Sequence, residues 1–157
     1  MPYVICPARE EAACAQVVRQ SFSVLARDYG LTRQNAPTYT AFIADDALFR
    51  PGAQPFCLYE EGVLVGFVQL VPKKDKAMME LEKLAVLPGY RHKGYGKALL
   101  DHCKAQVLKQ GGTHIDIGIM QDNVQLRVWY EAQGFVHTGV REFAHLPFTV
   151  GFMRWQA

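Results

Sequence analysis

The chain has 157 residues, half of them apolar and a fifth charged; this is the length and balance of one globular domain spanning residues 1–157, too short for two comfortable cores. Its net charge of +2 excludes a general attraction to nucleic acid or to a membrane surface, so any anion site must come from local clustering. No apolar run approaches a membrane span, and Arg9, Glu10 and Glu11 arrive too early for a signal peptide, so a cytoplasmic protein is expected.

Residues 3–6 form a short apolar run ended by Pro7, a first strand. Residues 10–27 read as an amphipathic helix with Ala13, Val17, Phe22 and Leu25 near one face and Glu10 and Glu11 at its start. A polar loop containing Gly30 follows. Thr38 then reads as the N-cap of a second helix carrying Tyr39, Phe42, Ile43 and Leu48, closed by Pro51-Gly52. Residues 56–60 and 63–71 are strands joined by Glu61-Gly62 as a hairpin. A charged turn leads into a long strand over residues 77–87. Residues 94–110 form the next helix, with Leu99, Leu100, Cys103 and Val107 at helical spacing and Gly111-Gly112 as its stop. Residues 113–120 alternate as a strand, residues 123–133 make a short helix, and residues 135–143 and 148–155 are two closing strands.

The chemistry concentrates between the long strand and the helix after it. There stands Arg91-His92-Lys93-Gly94-Tyr95-Gly96. Gly94 and Gly96 let the backbone turn tightly and bring its N–H groups close to a ligand. A helix N-terminus favours an anion, and Arg91 and Lys93 add positive charge. Phosphate or pyrophosphate suits that combination. A dinucleotide-binding turn does not fit, because Leu99 stands where a third glycine belongs, and no Walker sequence occurs. The four cysteines (Cys6, Cys14, Cys57, Cys103) show no metal-like spacing and sit among apolar neighbours, where reduced cysteine behaves as a small hydrophobe. The five histidines are scattered, and nothing points to a metal.

Two stretches carry a family resemblance. Leu84-Ala85-Val86-Leu87-Pro88 followed by Tyr90-Arg91-His92-Lys93-Gly94-Tyr95-Gly96 resembles the acyl-CoA pyrophosphate signature of the GNAT superfamily of N-acyltransferases. Asn123, followed by Trp129-Tyr130-Glu131-Ala132-Gln133-Gly134-Phe135, resembles its second motif. The element order matches as well. The resemblance implies an α+β fold: a mixed, mostly antiparallel, twisted sheet, splayed between its middle strands and flanked by about four helices.

It also implies a reaction, the transfer of acetyl from acetyl-CoA, as cosubstrate, to a primary amine by direct attack. The amine belongs to a small molecule, a peptide or a protein. In this resemblance the main chain of Leu84, Ala85 and Val86 meets the pantetheine amides, with a Val86 N–H as oxyanion donor. The N–H groups of Arg91, His92, Lys93, Gly94, Tyr95, Gly96 and Lys97 hold the diphosphate. Asn123 binds cofactor or caps its helix, and Tyr130 protonates the departing thiolate. Glu80 is the proton acceptor; Glu82 shares its parity unless a strand bulge intervenes, and the competing reading pairs both with Lys73 or Lys83 in solvent. Tyr29, Arg33, Tyr39, Phe42 and His145 are candidates for the acceptor side. Apolar Phe143, Leu146 and Phe148 suggest a homodimer. The competing functional readings are a catalytically inactive acyl-CoA sensor and a nucleotide-binding domain.

Overall fold

The computed structural model of the chain describes residues 2–32, 34–36, 47–74 and 77–157. Strand β1 (Tyr3–Pro7) leads into helix α1 (Glu11–Asp28). Strands β2 (Gln54–Glu60), β3 (Val63–Pro72) and β4 (Met78–Val86) follow. A short 3-10 turn (Pro88–Tyr90) precedes α2 (Tyr95–Lys109), β5 (His114–Met120), α3 (Val124–Ala132), β6 (Val136–Glu142) and β7 (Thr149–Gln156). The strands form one sheet in the order β1-β2-β3-β4-β5-β7-β6, with β4 and β5 parallel and every other neighbouring pair antiparallel. This is the expected α+β class. Three α-helices lie among the described residues, against about four expected. Of the helix read from Thr38 to the Pro51-Gly52 stop, the part up to residue 46 lies outside the described residues, and residues 47–50 are irregular chain rather than helix, with Leu48 buried.

Local chemistry accounts for the elements. The hairpin between β2 and β3 turns through Glu61 at φ 49° and Gly62 at φ 83°, the double positive φ that a two-residue hairpin needs. Helix α1 buries Cys14, Ala15, Val17, Val18, Ser21 and Ala26. Its buried stripe is therefore offset from the expected one: Ala13 is exposed, and Phe22 and Leu25 are half-buried. The reason is that α1 also walls an open cleft, which its two largest apolar side chains help to line, although Phe22 packs in part against the sheet as well. The Glu11 carboxylate accepts hydrogen bonds from the N–H groups of Leu48 and Phe49 at 2.9 and 2.7 Å. Buried Gln69 accepts from Arg50 N–H and donates to Leu48 C=O. Two side chains thus fix residues 48–50, Glu11 to α1 and Gln69 to β3.

The sheet is packed on both faces. One core joins α2 and α3 to Leu58, Val65, Leu70, Met79 and Leu81, with Leu84 and Val86 half-buried against it. The other joins Cys14, Ala15 and Val18 of α1 to Cys57, Phe67 and Ala85. Strict alternation along β4 would not place Leu81 and Leu84 on one face. The register supplies the cause: Phe67 pairs Ala85 but Gln69 pairs Glu82, so β4 holds one extra residue there, and Lys83 adopts φ 58°. This bulge flips the parity of the strand.

The decisive feature lies on the other edge of β4. Pairing with β5 runs through Met78↔His114, Met79↔Ile115 and Glu80↔Asp116. Among the described residues it goes no further, and the two middle strands separate, as the resemblance implied.

Close packing of α2 on β3 yields a test. A Cβ added at Gly66 would meet Leu99 Cδ1 at 2.9 Å and Leu58 Cβ at 3.4 Å, and both side chains are fully buried. Gly66→Val should destabilise the fold by about 1–3 kcal/mol through overpacking, read as a lower urea midpoint at unchanged slope.

Candidate active site

The separation of β4 from β5 opens a cleft of about 980 Å³. Its floor is the two strand edges. Ser21, Phe22 and Leu25 of α1 form one wall, Trp129 and Tyr130 of α3 the other, and His145 and Phe148 from the β6–β7 loop stand at the rim.

The β4 edge can be read peptide by peptide. The Leu87 N–H donates to Val65 O on β3 at 2.9 Å. Successive peptides of a strand point to opposite edges, so the N–H and C=O of Val86, and those of Leu84, face the gap. The Val86 carbonyl is already engaged. Ser21 Oγ lies 3.0 Å from it and Arg91 Nε 3.4 Å, while Arg91 also donates to Ser21 O at 3.3 Å. Arg91 and Ser21 therefore tie α1 to the end of β4. Leu84 and Val86 line the cleft, whereas Ala85 packs against α1 and β3. Of the three residues expected to meet the pantetheine, Ala85 alone faces away.

Beyond β4 the chain passes through His92 at φ 65° and Gly94 at φ 80°, and α2 begins. The helix's first bond is Ala98 N–H to Gly94 O at 3.0 Å. Among the described residues the N–H groups of 92–97 donate to no backbone carbonyl, the set of unpaired donors that a helix start presents to an anion. The charged side chains are disposed differently. Lys93 Nζ sits 3.3 Å from the carboxylate of Glu60, and Lys97 pairs with Asp101 at 2.6 Å. Tyr95 is buried and its hydroxyl donates to the same Glu60. That hydrogen bond and then Lys93 hold the Glu60 carboxyl below its usual range, while Glu60 pushes Tyr95 up to about 12. Lys93 and Tyr95 thus brace the turn through Glu60. From this turn, Arg91 and Gly96 are the residues that line the cleft.

Two carboxylates stand on the α1 side of β4. Glu80 is 2.7 Å from Lys73, the pairing anticipated as the competing reading. Glu82 pairs with Arg50. Burial raises the Glu82 carboxyl and Glu80 beside it adds to the rise, while Arg50 opposes it. The bulge adds Lys83 to the cleft lining, and burial lowers its ammonium. Across the gap Tyr130 lies at 5 % exposure, edge-on to Trp129 and Phe135. Burial raises its phenol, and no hydrogen bond to its hydroxyl occurs among the described residues. Asn123 caps α3, its Oδ1 accepting from Leu126 N–H at 3.1 Å, and it lines the cleft as well.

Tyr29 and His145 reach the rim; Arg33, Tyr39 and Phe42 lie outside the described residues. Phe143, Leu146 and Phe148, expected to favour a homodimer, line the cleft on and beside the β6–β7 loop. Sequence reasoning missed Ser21 and Glu60. Ser21 left a trace as the one polar residue on the buried stripe of α1, but Glu60 left none, since a glutamate beside a hairpin turn is ordinary. Among the described residues, no group of three or more histidines, cysteines or acids is placed to hold a metal, and no helix is long and apolar enough to cross a membrane.

The model of the acetyltransferase (GNAT) family matches residues 19–135. The chain belongs to that family. An uncharacterized N-acetyltransferase of Mycobacterium tuberculosis is 32% identical over 83 residues, 53% of this chain and 53% of that protein; the chain spans about half the length of the curated relatives it matches. The structure of PaiA N-acetyltransferase from Thermoplasma acidophilum, solved with coenzyme A, superposes with TM-score 0.74 at 17% identity, covering 100% of both chains. The ribosomal-protein-S18-alanine N-acetyltransferase of Escherichia coli superposes with TM-score 0.69 at 18% identity over 99% of this chain and 94% of that one.

The Glu60 bridge makes a pH prediction. A carboxyl whose folded pKa is depressed contributes stability above its unfolded value, about 4.3 for glutamate, and loses it as pH falls through the folded value. Glu60→Gln should therefore lower Tm at pH 7 and flatten the fall of Tm below about pH 4, measured by thermal melts across pH.

Proposed function

We propose that the chain is an N-acetyltransferase that moves the acetyl group of acetyl-CoA to a primary amine within a ternary complex. The observation that carries this reading is a conjunction. One strand edge with gap-facing peptide groups runs straight into six unpaired N–H donors at a helix start. A ligand with a chain of amides ending in a diphosphate complements both, the amides as an added strand and the diphosphate on the turn. Acetyl-CoA has that chemistry, and the thioester it supplies needs no covalent enzyme intermediate. In this reading Leu84 and Val86 receive the amides and the N–H groups of 92–97 receive the diphosphate. Arg91 is the cation that the turn contributes to the cleft.

The chain's own groups divide the proton work. An alkylammonium titrates at about 10, and only its neutral form attacks. Glu82, raised by burial, accepts the proton, with Glu80 beside it as the second acceptor. The Val86 N–H faces the gap, where it can donate to a developing oxyanion. Tyr130 holds a proton on a hydroxyl without a competing partner, directed to a departing thiolate. Neutral phenol is the form burial favours. The acceptor enters between α1 and the β6–β7 loop, past Tyr29 and His145.

A thiol-release assay with acetyl-CoA over a panel of small amines and peptides tests the reading. Thiol should appear with at least one amine. Tight binding of coenzyme A with no release across the panel would indicate an idle sensor. Tyr130→Phe should lower kcat by about 10²-fold while the Kd for acetyl-CoA changes far less; equal turnover would remove Tyr130 from the proton path. Because burial raises the Glu82 carboxyl, the acid limb of kcat/KM should lie above the ordinary carboxylate range. Glu82→Gln should lower the rate and abolish that limb.

A further inference from the structure

The four cysteines read from sequence as inert hydrophobes, and for Cys14 and Cys103 the structure agrees: they are 1% and 0% exposed, and burial pushes their thiols up to about 11 and about 12. Cys6 and Cys57 differ. They stand directly opposite each other on β1 and β2, 51 residues apart in sequence, with their Sγ atoms 3.7 Å apart. The Ala8 N–H bonds to Pro55 O, so by alternation the Cys6–Cys57 pair is also hydrogen-bonded, with Cα atoms about 5.5 Å apart. That separation lies within the range a disulfide spans, and rotation about the Cα–Cβ bonds can bring the sulfurs together.

We propose that Cys6 and Cys57 are a redox-modification site, closing to a cross-strand disulfide when a peroxide oxidises Cys6. Access is asymmetric. Cys6 is half-buried and opens into a surface depression of about 350 Å³ bordered by Pro7, Arg9, Glu10 and Tyr59, whereas Cys57 behind it is 2% exposed. Burial, together with its hydrogen bond to Cys6, pushes the Cys57 thiol up to about 12, and Cys6, the sulfur open to the surface, is the one a peroxide reaches first. The Cys6 thiolate attacks one peroxide oxygen; the O–O bond breaks, the other oxygen leaves as water after protonation, and Cys6 becomes a sulfenic acid. Cys57 sulfur then attacks the Cys6 sulfur. The S–O bond breaks, and the hydroxide departs with the Cys57 proton as water. Two thiols and one peroxide give one disulfide and two waters. The product ties edge strand β1 to β2, whose last residue, Glu60, braces Lys93 and Tyr95.

The test uses the full chain, reduced, with one equivalent of hydrogen peroxide and no acetyl-CoA, so its outcome is independent of the proposed transferase activity. Alkylation under denaturing conditions and mass spectrometry then count the thiols. The expected result is protection of two of the four thiols, a linked peptide joining Cys6 to Cys57, and full recovery with dithiothreitol. In Cys57→Ser the expected product is a dimedone adduct on Cys6 with no intrachain disulfide. Four alkylatable thiols after peroxide, a link through Cys14 or Cys103, or the same protection in Cys6→Ser would overturn the proposal. Peptide mapping of the unmodified sequence decides the matter even if a substituted protein fails to fold.

Discussion

The structure depends on a parallel strand pair that is abandoned after three residue pairs. Backbone N–H and C=O groups are obligatory hydrogen-bonding groups, and leaving them unpaired inside a protein costs as much as losing the bonds. Between β4 and β5 the chain accepts that cost beyond Glu80↔Asp116. It does so where the edge is lined by α1 on one side and α3 on the other, so the opening is a walled cleft rather than a frayed sheet. The carbonyl of Val86 lies within hydrogen-bond distance of Ser21 on α1 and of Arg91 on the turn that follows the strand. The remaining gap-facing groups point into the open cleft.

Electrostatics around this opening follows a division of labour. The anion turn is presented by main-chain donors, which carry no side-chain entropy and whose direction is set by the start of α2. Its lysines and Tyr95 are largely spent on the framework: Glu60 collects Lys93 and Tyr95, and Asp101 takes Lys97. On β4 both acids face the α1 side, Glu80 paired with Lys73 and Glu82 with Arg50. Balanced pairs leave a carboxylate able to titrate without leaving a strong negative field in the cleft. Burial raises the Glu82 carboxyl.

Much of this was legible in the chain. Strong period-2 and period-3.6 patterns, glycine and proline punctuation and a glycine-rich basic turn located every strand and helix among the described residues, and the family signature located the cleft. Val86, Arg91, Gly96, Asn123 and Tyr130 all line it. What the sequence misjudged were directions. The stripe of α1 is offset because Phe22 and Leu25 help to line the opening, and Ala85 turns its back on the gap because a bulge at Lys83 resets the strand. Phe143, Leu146 and Phe148, expected to favour a homodimer, line the cleft.

Local chemistry by itself therefore determined the elements, their order and the unpaired main-chain donors of the turn, since helix periodicity, hairpin φ values and helix-start donors are all properties of short segments. Pairings between distant segments were decided only by the tertiary structure. Glu60 meets Tyr95 across 35 residues, Ser21 meets Val86 across 65, and Cys6 meets Cys57 across 51. No local pattern encodes such meetings, because each depends on strand register and on where one bulge shifts it.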